Sequence, residues 1–590
     1  MRPFTASLTL SLAVVVAVGA GAAADVALGP VEPPPTPHVE AAEAVSGAWY
    51  CAVGETLGRD ELSVLGAVAP GRATSANLRI HSFGSGGVIR SGEVEVLPAA
   101  VRSVPVRAGQ DDIGVVAQWW GTPAAVFRVW RRTVVGEPSG LVVGPCQSQP
   151  NSSWYLPGIS TDGGAHASIV LANPFPTDAA VSVTLLTPEG PLEPELLKNV
   201  AVQGRGIRVI ELNDHAPERS DIGAVVTVRA GRVVAEAWQA LDAAIGGVEG
   251  LTLARLAPAA AETWTVPWIP GRDLDTWVWV ANPDDRPASL AFTVHTATGG
   301  SPLQGTDEVL VPAGGVRRMS LRGLLPDGAG EGAVTVTATN GVPVVVSGAV
   351  RVSGGGQVPP EQEEDGEAPP GQEEDGEAPP GQEEDGEAPP EQEEDGEAPP
   401  GNGDGAGAAE PFFSADGTGF AIQLAQPSHD AFWVLAGIGT RGRSEVLRLV
   451  NPTSQPATVT VRVAVETATL APEELQGIRV PAGSARSVDI AAVLPELASH
   501  ALFVEANGAG VVAGLRSAAI EAPLELVTNT GVPGATWAPR APAAHVEFSP
   551  GLARRVGTSS GPALSPPETP PPATELDFEP SPDPAASPTE

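Results

Sequence analysis

Two kinds of apolar pattern recur along the chain. Val181-Ser182-Val183-Thr184-Leu185 and Val459-Thr460-Val461-Arg462-Val463-Ala464-Val465 switch between apolar and polar at each step, the period of a strand buried on one face. The runs IVLANP (Ile169–Pro174), VWVANP (Val278–Pro283) and LRLVNP (Leu447–Pro452) are apolar throughout and stop at Asn-Pro, a pair that reads as a turn between two strands. β-Branched residues dominate both patterns, and no segment shows the amphipathic period of an ordinary helix. Single helical turns are expected at Asn213–Arg219, Leu324–Asp327 and Val493–Leu497, as crossovers from sheet to sheet.

These runs sit in a long repeat. Trp49, Trp154, Trp264, Trp433 and Trp537 stand in similar settings, at separations of 105, 110, 169 and 104 residues. An apolar strand ending at Asn173-Pro174, Asn282-Pro283 or Asn451-Pro452 follows the second, third and fourth Trp by about eighteen residues. The first repeat is read as keeping this strand at Asn77–Ser82, without the Asn-Pro. Thirteen residues before each later Trp begins a last strand, at Leu141, Leu251, Phe420 and Leu524. Penultimate strands precede these, at Ala125–Trp130, Val233–Trp238, Val344–Val350 and Val511–Leu515.

The long third interval has a local cause. Residues 361–400 are four acidic decapeptides, EQEEDGEAPP or GQEEDGEAPP, with Gly/Pro-rich shoulders, and they fall between the penultimate and last strands of the third repeat. Eighteen acidic residues with no basic one and little to bury predict a disordered, extended insertion, read as a solvated spacer. The expected organisation is therefore a signal peptide or anchor at 1–24, a linker at 25–46, and repeats at 47–147, 148–258, 259–425 and 426–540. The insertion occupies 353–411 and a disordered Pro-rich tail 541–590.

Seven or eight short strands in about 105 residues match an immunoglobulin-like β-sandwich, whereas a propeller blade is about 40–50 residues long. The fold class expected is all-β, tandem immunoglobulin-like sandwich repeats, stacked as a rod of about 150 Å. The recurrent Trp read as core anchors at domain junctions. The Trp-x-x-Pro-Gly start at Trp154, the small-residue turn at Ser160–Ala165, the IVLANP strand and the V-x-V-x-L run after it resemble an actinobacterial family of exported, repeat-containing proteins of unknown function. That resemblance implies a cell-envelope setting, often beside genes for surface glycan synthesis, and brings no catalytic residues; the acidic decapeptides and the tail depart from it. Abundant Arg, Ala, Gly, Val and Pro beside the single lysine, Lys198, agree with a GC-rich source.

Charge and cysteines narrow the setting. A formal net charge of −38 disfavours nucleic acid and an anionic membrane surface as partners. About half of that charge belongs to the decapeptides. Residues 1–24 combine Arg2, an apolar run from Leu8 to Val18 and Ala22-Ala23-Ala24, a signal-peptide pattern; the alternative is an uncleaved anchor, the one expected membrane contact. In an exported protein, Cys51 and Cys146 are expected to form a disulfide bracketing the first repeat.

The sequence holds little catalytic chemistry. The one G-x-S-x-G match, at 557–561, lies in the tail without a strand-to-helix elbow, and neither a phosphate-binding glycine loop nor an HExxH motif is present. The eight His are scattered, and Asp162, Asp273, Asp275, Asp284 and Asp285 read first as turn formers, with a calcium ion as the sharper reading. No cofactor and no metal are expected. The function expected is a non-enzymatic envelope protein with a structural or protein-interaction role, its partner an envelope protein or a wall glycan. The alternative is a glycan-binding or accessory factor in wall polysaccharide assembly, using Trp119, Trp120 and Trp130 or Trp264, Trp268, Trp277 and Trp279 if these are exposed.

Overall fold

The structure, a computed structural model, describes residues 46–537 except 57–59, 73, 85–86, 107–111, 133–138, 243–248, 270–274, 304–305, 307–308, 323–330, 353–418 and 521–525. The N-terminal apolar segment, Leu324–Asp327, Asp273, the acidic insertion and the Pro-rich tail all fall outside the described residues.

The alternating and continuous runs both become strands, and the chain is nearly all β. In the first sandwich one sheet has the order β1 (Ser46–Glu55), β6 (Asp112–Gly121), β3 (Ala76–Gly84), β4 (Gly87–Val96). The other has the order β5 (Val101–Pro105), β2 (Glu61–Ala67), β7 (Ala125–Arg132), β8 (Gly140–Pro145). The second repeats this with β9 (Ser153–Ile159), β15 (Ile222–Ala230), β11 (Ala179–Thr187) facing β14 (Gly206–Glu211), β10 (Ala165–Asn173), β16 (Val234–Leu241), β17 (Gly250–Ala254). The third pairs β18 (Thr263–Ile269), β24 (Gly332–Ala338), β20 (Ala288–Thr296) with β23 (Gly315–Ser320), β19 (Asp275–Asn282), β25 (Val345–Val352), β26 (Gly419–Leu424). The fourth pairs β27 (Phe432–Gly437), β33 (His500–Gly508), β29 (Ala457–Ala464) with β32 (Ala485–Asp489), β28 (Arg443–Val450), β34 (Val512–Ala519), β35 (Leu526–Thr530). Where the first sandwich has the long edge strand β4, the others have fragments: β12 (Gly190–Leu192) and β13 (Val200–Val202), β21 (Gly299–Pro302) and β22 (Val309–Val311), β30 (Thr469–Leu470) and β31 (Ile478–Val480). The two strands that flank the acidic run are hydrogen-bonded neighbours, with Val352 opposite Gly419.

Each Asn-Pro corner is held by a buried side chain. Asn282 Nδ2 donates to Arg286 O at 2.7 Å and Val311 O at 3.2 Å, while its Oδ1 accepts from Asp284 N at 3.0 Å. Asn173 bonds Thr177 O, Val202 O and Phe175 N in the same way, and Asn451 bonds Gln455 O, Val480 O and Thr453 N. All three Asn are fully buried, so the amide ties its own turn to the end of an edge fragment in the facing sheet with donor and acceptor both satisfied. The Trp landmarks repeat equally well. The indole N–H of Trp49, Trp154, Trp264 and Trp433 donates to Ala124, Val233, Val344 and Val511 O at 2.7–3.2 Å, in each case just before the penultimate strand or at its edge. These four rings are at most 2% exposed, and each removes about 150–250 Å² of mostly apolar surface from water.

The counterpart of the Asn-Pro strand in the first sandwich is β2, which runs on to Ala69-Pro70, and Asn77–Ser82 belongs instead to the following strand β3. β2 is an apolar run that lacks the Asn, whereas Asn77–Ser82 alternates between buried and half-buried positions, the pattern of a strand covered on one face. Trp537 closes a single helical turn, Gly534–Trp537, after β36 (Val532–Pro533), which pairs with β27. The expected turns after Asn213 and near Val493 are Leu212–Asp214 and Ile490–Val493. The disulfide joins Cys51 on β1 to Cys146 just beyond β8. The matching positions in the other sandwiches hold apolar or small residues instead, for instance Leu435 against Gly531.

The four sandwiches close into a ring rather than extend as a rod. The last strands meet in a cycle: β17 packs on β8 and β26, and β35 packs on β26 and β8. Leu141, Val143, Leu251, Ile422 and Val527 on these strands are buried, so the hub is filled. Around it, the sheet containing β1, β9, β18 or β27 stacks on the neighbour's four-stranded sheet. On β10, Ile169 and Leu171 join their own core while Val170 and Ala172 join the first sandwich's. On β19, Val278 and Val280 face inward while Trp277, Trp279 and Ala281 join the second sandwich's core. Closure is made by Val434, Ala436, Ala501 and Phe503 of the fourth sandwich, which share the first one's cluster. A rod of sandwiches would leave their outer faces in water, whereas here β16, β19 and β34 are covered on both faces by the neighbouring units. For the folded body, with 353–418 replaced by a short Gly/Ser linker, small-angle scattering should give a radius of gyration of roughly 22 Å, the compact value for its length, against about 43 Å for a 150 Å rod.

Candidate functional site at the junctions between sandwiches

The continuous strands carry a few charged residues, and two-sided burial leaves those residues nowhere to go but the junctions. Arg128 on β7 and Glu236 on β16 are each 1% exposed and form an ion pair between the first and second sandwiches. Arg128 Nη1 also donates to Ala52 O at 2.8 Å, and Glu236 Oε2 accepts from Ala52 N at 3.1 Å. Burial pushes the Glu236 carboxyl up, and Arg128 opposes that shift. Glu236 Oε1 and Arg128 Nε and Nη2 have no hydrogen-bond partner, so this pair is costly to bury and contributes more to specificity than to net stability.

Between the third and fourth sandwiches, Glu331 forms ion pairs with Arg516 Nη1 at 3.0 Å and Arg448 Nη2 at 3.4 Å. The Arg516 guanidinium lies 5.1 Å from the centre of the Trp268 ring, and burial lowers its pKa to about 10. His295 Nδ1 donates to Gly483 O at 2.8 Å across the same junction, and burial holds its pKa below the ordinary value. Within the fourth sandwich, His500 Nε2 lies 2.7 Å from Glu445 Oε1, both fully buried. Gly437 opposes the His500 ring: a Cβ there would fall 2.2 Å from Nε2, so only glycine leaves the ring its place.

The junction of the second and third sandwiches is aromatic and holds a cleft of about 130 Å³. Trp277 stands edge-on to Trp279 at 5.4 Å and stacks on Phe420 at 6.1 Å. Trp279 packs where Gly158 has no Cβ, and its indole donates to Asp221 Oδ1 at 2.8 Å. Around the cleft, Arg318 pairs with Asp221 at 3.3 Å, Arg351 with Asp275 at 2.6 Å, and Ser220 donates to Asp162 Oδ2 at 2.9 Å. Gln239, 2% exposed, accepts from Ser160 N at 3.1 Å through Oε1. The arrangement offers a small polar concavity with guanidinium, amide and hydroxyl groups at its wall.

Trp119, Trp130, Trp264, Trp268, Trp277 and Trp279 are all buried, and Trp120 is half-buried beside Arg79, so the clusters do not form an exposed stacking platform. Asp162, Asp275 and Asp284 are engaged by Ser220, Arg351 and Arg286, and the described residues contain no group of three His, Cys, Asp or Glu suited to a metal ion. The buried charges Arg128, Glu236, Arg448, Glu445 and Arg516 escaped the sequence reading. Their signal was available, since a charge in the middle of a continuous apolar strand has no solvated face.

Two measurements probe these groups. Glu236→Gln leaves Arg128 buried without its counter-ion and should cost about 3–5 kcal/mol in urea unfolding, while the double change Arg128→Met, Glu236→Leu should cost far less. Burial alone would lower the His500 pKa, but Glu445 and the Ala498 carbonyl outweigh it and the net direction is upward. The folded state then holds that proton more tightly than the unfolded chain, so the stabilisation is complete below about pH 6.5 and is lost as pH rises through the folded value. The stability difference between the wild type and His500→Gln should therefore shrink with rising pH from 6 upward; a constant difference would reject the ion pair.

The model of a family of unknown function (DUF5719) matches residues 114–369 and 411–537. No curated protein matches the chain. Among solved structures, the "Crystal Structure of Thermotoga maritima 1070" aligns over 96% of its own chain and 18% of this one, at 16% identity and a TM-score of 0.17. With more than half of its length matched, the chain belongs to the DUF5719 family, a family of unknown function.

Proposed function

We propose that the protein is a non-enzymatic, exported cell-envelope protein that acts as a rigid interaction platform. The observation that carries this reading is the head-to-tail packing of the four sandwiches around a filled hub, which spends the aromatic and charged side chains on holding the ring together. The signal-peptide pattern and the Cys51–Cys146 disulfide support an oxidising, exported setting. The cleft among Ser160, Gln239, Trp277, Arg318 and Arg351 is the place where a partner group inserts. A wall-glycan role through stacked Trp is disfavoured by the burial of those rings.

The test is affinity capture from envelope extracts with the mature chain, comparing the wild type with Arg318→Ala, Arg351→Ala and with a variant lacking 353–418. Saturable capture of one defined envelope protein, lost in the double Arg variant, supports the platform. Retention on purified wall polysaccharide with no protein captured overturns it.

A further inference from the structure

Strand register gathers hydrogen-bond donors at the aromatic junction. Alternation along β19 sets Asp275, Trp277 and Trp279 on one face, and the antiparallel ladders put Arg351 directly opposite Asp275 and Arg318 directly opposite Trp279. Both guanidiniums therefore flank the Trp277 ring, their Cζ atoms 5.8 Å (Arg318) and 6.0 Å (Arg351) from its centre. A carboxylate orients each of them: Arg318 is paired through Nε with Asp221, and Arg351 donates through Nε and Nη2 to Asp275 Oδ2. The two Arg line the cleft, whereas Asp221 and Asp275 do not. Both Nη atoms of Arg318 and Nη1 of Arg351 make no hydrogen bond among the described residues.

Gln239 on β16 adds a donor with nothing to donate to. Its side chain is 2% exposed, and Ser160 N donates to Oε1 at 3.1 Å, which fixes the amide and leaves Nε2 as its open end at the cleft wall. Nε2 makes no hydrogen bond among the described residues. A buried amide held by one end, with its donor unspent, is a group that a ligand completes. The indole N–H of Trp277, another residue of this wall, is also buried without a partner. Among the described residues that line the cleft, Asp162 is the one carboxylate, and it already accepts from Ser220 Oγ. Two guanidiniums and an open amide N–H against one engaged carboxylate favour an anionic acceptor, and planar guanidiniums suit a carboxylate above all. The cleft volume of about 130 Å³ has room for about four water-sized groups, enough for a carboxylate on a short stem. We infer that the cleft is a carboxylate-binding site, with Gln239 Nε2 and the open guanidinium nitrogens of Arg318 and Arg351 as its donors. This inference rests on the reading of the cleft as the place of insertion and names the chemistry of the inserted group.

Saturation-transfer NMR on the mature full-length chain tests it, with propionate and propionamide as probes of one shape that differ in charge. Propionate should bind with millimolar affinity, and propionamide roughly tenfold more weakly or less still. Gln239→Glu keeps the acceptor for Ser160 N and puts an oxygen in place of Nε2, so it should abolish propionate binding. The double variant Arg318→Gln, Arg351→Gln, at side chains 42% and 47% exposed, should stay folded and weaken propionate roughly tenfold. A captured envelope protein that propionate releases and propionamide does not would place the carboxylate on that partner. Propionate binding with no protein captured would identify a free short-chain acid and reject the platform alone. Propionate that fails to bind, binds no better than propionamide, or binds the double Arg variant as well as the wild type overturns the carboxylate site, and the platform still stands if a protein is captured.

Discussion

The constraint on which the rest depends is that half of the sheets are covered on both faces. Val234–Ala240 on β16, Thr276–Asn282 on β19 and Val512–Ala518 on β34 are buried at every position, while β11 and β29 alternate between buried and half-exposed residues over most of their length. A strand covered on one face shows period two; a strand covered on both loses it. The second covering layer is the neighbouring sandwich. Each junction uses one face of one unit against a different face of the next, a heterologous contact, and a chain of such contacts either grows indefinitely or closes. Here it closes at four, so no junction face is left over.

Because the four junctions share one geometry, their residues decide which unit meets which. The first junction is an ion pair, Arg128 with Glu236; the second is aromatic, Trp277 and Trp279 against Gly158; the third joins Arg516 and Arg448 to Glu331. At closure, Phe503 of the fourth sandwich joins the first one's apolar cluster, Val101 N donates to Val465 O at 3.2 Å, and Arg102 pairs with Glu466. Exchanging two units would bury Glu236 or Arg516 without a counter-charge, or drive Trp279 into a β-carbon. The buried charges thus exclude wrong orders at some cost in stability, a division of labour that a uniformly apolar junction would not provide.

The sandwiches were legible in the chain because their signals are local. Alternation, Asn-Pro turns and the thirteen-residue interval before each Trp are short-range patterns, and the all-β architecture follows from them. The ring was less legible because its contacts are not: Ala52 N meets Glu236 across 184 positions, and no window of sequence relates the two. The continuous character of IVLAN and VWVAN carried the missing information. A strand of a one-sided sandwich alternates, so an unbroken apolar run already implies a second covering layer. The Trp-dense segments misled for the same reason, since Trp277 and Trp279 lie on one side of β19 and that side faces a neighbour rather than water.

Chain length is tolerated at some points of this fold and not at others. The distance in sequence from the corner Asn to the carbonyl it clamps is 29 residues in all three corners, Asn173 to Val202, Asn282 to Val311 and Asn451 to Val480. That interval spans a whole strand and its return between sheets, so an inserted residue would displace a buried donor from its acceptor. Between β25 and β26 the situation is different. Val352 and Gly419 are already hydrogen-bonded partners, so the ladder fixes both ends of the connection whatever lies between them. Lengthening such a connection costs only a logarithmic increment of closure entropy, about 0.6 kcal/mol per doubling. The acidic repeats therefore occupy a position where the chain can grow without moving a buried group, and β26 still reaches the hub to pack against β17 and β35.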